Sequence, residues 1–212
     1  MFNFNKKIKK NVGMSYVELI VVLSIFSVIS SVAIYNYGDF QARVDIKNLG
    51  SDIALKIVEA QKSSLNGLLP VSSNQVSDWK PSYGIYFNIN PNDGSNPNPG
   101  DNKSFIYFVD LNQDGILDNP DCVISNGECL DKITITKENY IDTLEECLSD
   151  DNSCSALSSP LSVIFKRPDS SAVFMDSNGV LTGFAYIRIT IKSPKGATTL
   201  IKVYSSGRIQ IN

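Results

Sequence analysis

From Asp110 to Asp121 the chain reads Asp-Leu-Asn-Gln-Asp-Gly-Ile-Leu-Asp-Asn-Pro-Asp. Counted from Asp110, side-chain oxygens fall at the first, third, fifth, ninth and twelfth positions, on Asp110, Asn112, Asp114, Asp118 and Asp121. The seventh position, Ile116, offers its backbone carbonyl. Alternate ligands turn inward on a tight loop, Gly115 permits the sharp bend, and apolar Leu117 fastens the loop to a core. The chemistry implied is binding of a calcium ion. The local charge agrees, because residues 100–155 carry 13 acids against three bases. A divalent ion would relieve carboxylates that otherwise repel. The same residues also admit a plain Asx-turn loop with solvated acids, since Asp, Asn and Gly are the commonest turn formers.

This loop resembles the calcium loop of EF-hands and dockerins. It departs from that pattern twice: Asp121 stands where a longer, bidentate glutamate is usual, and the run before it, Ser104 to Val109, reads as a strand rather than a helix. A strand-led loop of this kind suits the millimolar calcium found outside cells. Directly after it begin the four cysteines, Cys122, Cys129, Cys147 and Cys154, in two pairs of equal C-x6-C spacing. An even, clustered set points to two disulfides and an oxidising compartment. Pairing Cys122 with Cys129 would brace the exit of the loop, and Cys147 with Cys154 would do likewise for a second turn. A Cys129–Cys147 link is a further arrangement that the spacing allows. No C-x2-C and no histidine accompanies these thiols, which argues against zinc.

A second chemically notable residue is Glu18. From Met14 to Tyr37 it is the one charge in 24 residues, a stretch long enough as a helix to cross a bilayer of about 30 Å. An unpaired carboxylate at mid-membrane costs roughly 2.5–3.5 kcal/mol, and less near the end of the span, so Glu18 requires a partner. Lys6, Lys7, Lys9 and Lys10 precede the apolar run and mark its cytoplasmic end, with Gly13 between. Cleavage after Gly13 would free the α-amine of Met14, a positive charge at membrane depth. The rigid first turn makes that amine awkward to reach within one helix. Between neighbouring helices staggered by about a turn the pairing is natural, which implies self-assembly.

Gly13-Met14-Ser15-Tyr16-Val17-Glu18-Leu19-Ile20-Val21-Val22-Leu23 after a basic leader resembles the cleavage and N-methylation signature of type IV pilins and type II secretion pseudopilins. Met14 replaces the commoner Phe. The resemblance implies that a prepilin peptidase removes residues 1–13 and methylates Met14. It also implies a single pass of the cytoplasmic (inner) membrane, with the C-terminal domain on the extracytoplasmic side. The partners implied are other pilin or pseudopilin subunits, the peptidase, the inner-membrane assembly platform and the membrane itself. An ordinary secretory signal would instead be cut near Ser31-Val32-Ala33 and would have no use for Glu18. A plain signal anchor would keep Glu18 only by letting it snorkel to the interface.

These groups must be positioned by the rest of the chain. After residues 14–37, assigned to the membrane or filament core, Ala42, Ile46, Leu49, Ile53, Ile57 and Ala60 recur at steps of three or four. They extend the helix as an amphipathic second half through residues 38–70, ended by Gly67 and Pro70. Residues 71–82 form a polar connector in which Trp79 is expected to cap the helix. The globular domain, residues 71–212, is read as antiparallel β. Its strand-like runs are Tyr83–Ile89, Ser104–Val109, Lys132–Thr136, Leu161–Phe165, Ala172–Met175, Gly183–Lys192, Thr198–Tyr204 and Arg208–Ile211, and Asn90–Asn102 is a surface loop. Ile141, Leu144 and Leu148 suggest a short helix entered through Thr136. The fold class expected is α+β, a long N-terminal helix packed on antiparallel sheets. Val163–Asp169 and Thr199–Ile209 resemble the C-terminal β region of H-type minor pseudopilins and T-type minor pilins, which implies a minor rather than a major subunit.

Two functions follow as expectations. The first is a structural subunit of a type IV pilus-like or type II secretion filament. The second is a binding module at the filament tip, for adhesion or DNA uptake. It would use Arg188, Lys192, Lys202 and Arg208, interleaved with Tyr186 and Tyr204, to hold phosphates and stack bases. The acidic balance, 22 Asp and Glu against 19 Lys and Arg, disfavours nucleic acid. A sheet edge kept soluble by Lys and Arg accounts for the same residues. An enzyme is not expected, because there is no histidine, no G-x-S-x-G and no phosphate-binding glycine loop.

Overall fold

The computed structural model describes residues 13–69, 81–89, 101–118, 122, 127–148, 153–157 and 160–212. The basic leader residues, Trp79, Asp121 and most of the 90–102 loop lie outside them. One helix, α1, runs without interruption from Tyr16 to Asn66. Its first turn is closed by the Leu19 N–H donating to the Ser15 carbonyl at 3.1 Å. Its end is a Schellman cap, with Gly67 N–H on Ser64 O (3.0 Å) and Leu68 N–H on Ser63 O (3.2 Å). The cap needs φ near +61° at Gly67, which glycine adopts without a Cβ clash.

Internal contacts divide the chain between Gln41 and Ala42. In the first unit the large apolar side chains are exposed, from Met14 through Phe40. This part of α1 is the one stretch, among the described residues, long and apolar enough to cross a membrane. Two of its serines spend their donors inside the helix: Ser24 and Ser27 donate to the carbonyls of Val21 and Leu23, both at 2.8 Å. That satisfaction is what a hydroxyl needs in lipid.

In the second unit, Ile46, Ile53, Ile57 and Ala60 are buried along one side of the helix, at the spacing a 3.6-residue period dictates. The strands are β1 (Ser82–Phe87), β2 (Ser104–Asp110), β3 (Cys129–Thr134), β4 (Tyr140–Cys147), β5 (Cys154–Ala156), β6 (Leu161–Phe165), β7 (Ala172–Asp176), β8 (Gly179–Val180), β9 (Tyr186–Lys192), β10 (Thr198–Tyr204) and β11 (Ile209–Ile211). They form two antiparallel sheets, ordered β3-β2-β1-β6-β7-β8 and β11-β10-β9-β4-β5. The fold is therefore α+β. A single core joins α1 to both sheets, with Ile85, Phe87, Phe165, Ile187, Ile189, Ile191, Ile201 and Val203 fully buried in it. Buried polar links fix the helix on the first sheet: Ser64 Oγ donates to Phe165 O (2.7 Å) and Tyr107 Oη to Ser63 Oγ (2.9 Å).

One expectation fails. Residues 140–147 are strand β4, not a helix. The three-residue spacing of Ile141 and Leu144 comes from a β-bulge between Ile141 and Thr143, which lets both face the core from an extended chain.

Candidate functional site

Strand β2 delivers Asp110 as its last residue, so the loop is strand-led. A second apolar cluster on this sheet, made by Tyr86, Ile106, Phe108, Ile164 and Met175, receives Leu117 from the loop. Gly115 lies against it at φ +82°, and a Cβ there would run into the Met175 sulfur and reach Ile164 Cδ1 at 3.0 Å. The bend and the anchor thus sit where the residue pattern places them.

Within the loop, Asn112 Nδ2 donates to Asp114 Oδ2 (2.9 Å) and to Asp118 Oδ2 (3.0 Å). Asn112 Oδ1 accepts from Asp114 N–H (3.0 Å), and Asp114 Oδ1 accepts from Ile116 N–H (2.7 Å). The last two bonds are Asx turns that bend the arc. Among the described residues, no group of three or more acidic or thiol side chains stands close enough together to hold an ion. Asp121, the sixth donor, lies outside those residues.

Asp110 is different in kind. It is 0% exposed, and neither carboxylate oxygen completes a hydrogen bond. Burial pushes its pKa up, against the pull of Lys166 and of the Gln113 and Gly115 N–H groups, while Asp114 adds to the rise. An unsatisfied carboxylate is among the costliest groups to bury. The residue set fits a hard cation for this reason: a buried acid that completes no hydrogen bond stands at the head of a loop of further oxygen donors.

The structure adds a residue that sequence reasoning missed. Glu128, 4% exposed, accepts Leu111 N–H on Oε1 (2.8 Å) and Asp118 N–H on Oε2 (3.0 Å). Burial raises its pKa most, the two N–H groups oppose this, and Asp118 and Asp110 reinforce it. Glu128 falls outside the twelve-residue window. The signal for it was Cys129: a Cys122–Cys129 bridge returns the chain to the loop's exit, and Glu128 is its neighbour. That bridge forms, as does Cys147–Cys154, and no cysteine among the described residues is free.

The four cations of the second sheet lie on β9, on β10 and in the β10–β11 turn. Arg188 Nε donates to Glu145 Oε2 at 2.8 Å, across the β4–β9 pairing that sets these residues opposite one another. Lys192 lies 3.8 Å from Asp142. Lys202 is 6% exposed with its ammonium over the Tyr186 ring, and Arg208 covers the Tyr204 ring at 3.9 Å. Tyr186 itself is buried against Tyr204, with ring centroids 5.2 Å apart. Much of this face is thus occupied by its own acids and rings.

Glu18 lies in the first turn of α1, three residues after Ser15. A carboxylate there gains about 0.3–1 kcal/mol from the helix dipole, less than the roughly 2.5–3.5 kcal/mol cost of a charge at mid-membrane. No protein-family profile, curated protein or solved structure matches the chain.

Proposed function

We propose that this chain is a minor pilin or pseudopilin: a membrane-anchored subunit, processed after Gly13, that joins a type IV pilus-like or type II secretion filament. One observation carries the reading. A single helix begins as an exposed apolar rod whose only charge through Tyr37 is Glu18, and continues as a one-sided helix seated in the core of a β domain. The rod first stores the subunit in the bilayer and then packs against its copies, with the Met14 amine of one subunit answering Glu18 of the next. The domain is carried outside, where cystines persist. Calcium is the proposed cofactor of the loop, supported by the unsatisfied Asp110. Tip-located nucleic-acid binding is less well supported, because Glu145 and Asp142 already answer Arg188 and Lys192.

Glu18→Ala tests the reading. The variant should insert in the membrane and be cleaved to begin at Met14, yet be missing from sheared filaments. Normal filament incorporation, or a mature protein starting at Met1 or beyond Tyr37, would overturn it.

A further inference from the structure

The twelve-residue motif does not include Glu128, a buried acid that holds the loop's backbone at two places. Its two oxygens hold the N–H groups of Leu111 and Asp118, the second and ninth loop positions, so one planar carboxylate fixes the separation of the two ends of the donor arc. The residue is itself firmly held. Its backbone carbonyl accepts Val109 N–H at 2.8 Å, and the adjacent Cys129 is bonded to Cys122. A carboxylate offers about four lone-pair sites, and these two bonds use two of them.

Burial makes the arrangement informative. Glu128 and Asp110 are both almost wholly removed from water, and Asp110 has no completed hydrogen bond. Two buried acids in one small region require positive charge nearby. Among the described residues the only cation acting on Asp110 is Lys166, which makes no ion pair within 4 Å. A hard divalent ion in the loop would supply the missing charge.

We propose that Glu128 is a positioning residue for the cation loop, an acid outside the motif that holds the arc from Leu111 to Asp118 in shape. This rests on the calcium reading of Asp110–Asp121. Loss of a residue that orients metal ligands lowers metal affinity by about 10–100-fold. Glu128→Gln keeps the size but places an NH2 against one of the two N–H groups, so it should weaken calcium by that factor.

The experiment is calorimetric titration of calcium into the full chain in detergent micelles, with melting in excess chelator alongside. Binding weakened by about 10–100-fold in Glu128→Gln is the expected result. Equal binding by Glu128→Gln and wild type overturns the assignment while leaving the calcium loop standing. No heat from wild type at millimolar calcium overturns the calcium reading itself, and the role of Glu128 with it. If the Gln variant does not fold, Glu128→Asp carries the same expectation, because it keeps the charge but cannot span both N–H groups. Restoration of full affinity by Asp would show that charge alone matters and would also overturn the proposal.

Discussion

Replacing Asp110 with Asn should reverse the order of stability between two conditions. The side chain is fully buried, so in chelator its charge is favoured only by Lys166 and the Gln113 and Gly115 N–H groups, against the larger cost of burial. Removing the charge at constant size should recover about 1–2 kcal/mol. At about 2–4 °C per kcal/mol for a domain of roughly this size, the chelated variant should melt about 2–8 °C above wild type. With calcium at about 100 times its Kd, wild type gains about 2.7 kcal/mol by mass action, or about 5–10 °C. The variant, having lost the first ligand, should gain little. Calorimetric melting of both proteins in chelator and in millimolar calcium reads the crossing directly. If the two keep the same order in both buffers, or if the variant melts lower in chelator, then Asp110 is not an acid waiting for a cation, and the reasoning from its burial is wrong.

Gly67→Ala should lower the Tm by a few degrees. It puts a Cβ on a residue at φ +61°, worth about 1–2 kcal/mol, and displaces the Arg167 guanidinium. Gly67→Asn should lose less, and an unchanged melt for Ala would contradict the capping role. Ser64→Ala removes the donor to Phe165 O from a fully buried site and should destabilise by about 1–3 kcal/mol in denaturant titration; no change in midpoint would show that the link is dispensable. The Tyr83 hydroxyl donates to Leu68 O at 2.7 Å, and burial, with the nearby Tyr107, pushes its pKa up to about 12. The folded state then holds a proton that the unfolded chain releases near pH 10. Tyr83 therefore contributes stability below pH 10 that is lost as the pH rises toward 12. Tyr83→Phe should fall less steeply than wild type over that window, and parallel curves would refute the assignment.

The elements legible in the sequence are those whose pattern lies within contiguous residues. The long helix announced itself by its 3.6-residue period through Ile46, Ile53, Ile57 and Ala60, and its stop by Gly67. The hairpins of β9 to β11 followed from strict alternation between turn residues. The cystine pairs matched the shortest closures that the spacing allowed. Strand β4 was misread because a bulge imposes a three-residue spacing that a helix would also produce. Only pairing with β9, more than 40 residues away in sequence, distinguishes the two.

The candidate sites divide in the same way. The order of oxygen donors from Asp110 to Asp118, the bend at Gly115 and the apolar peg Leu117 were set by the sequence, because loop geometry depends on neighbours along the chain. That Asp110 is sealed from water, that Glu128 grips the loop from just before β3, and that Glu145 and Asp142 face Arg188 and Lys192 were decided by the tertiary structure alone. Burial and charge pairing depend on which strands become neighbours. Strand register brings together residues that no local pattern connects.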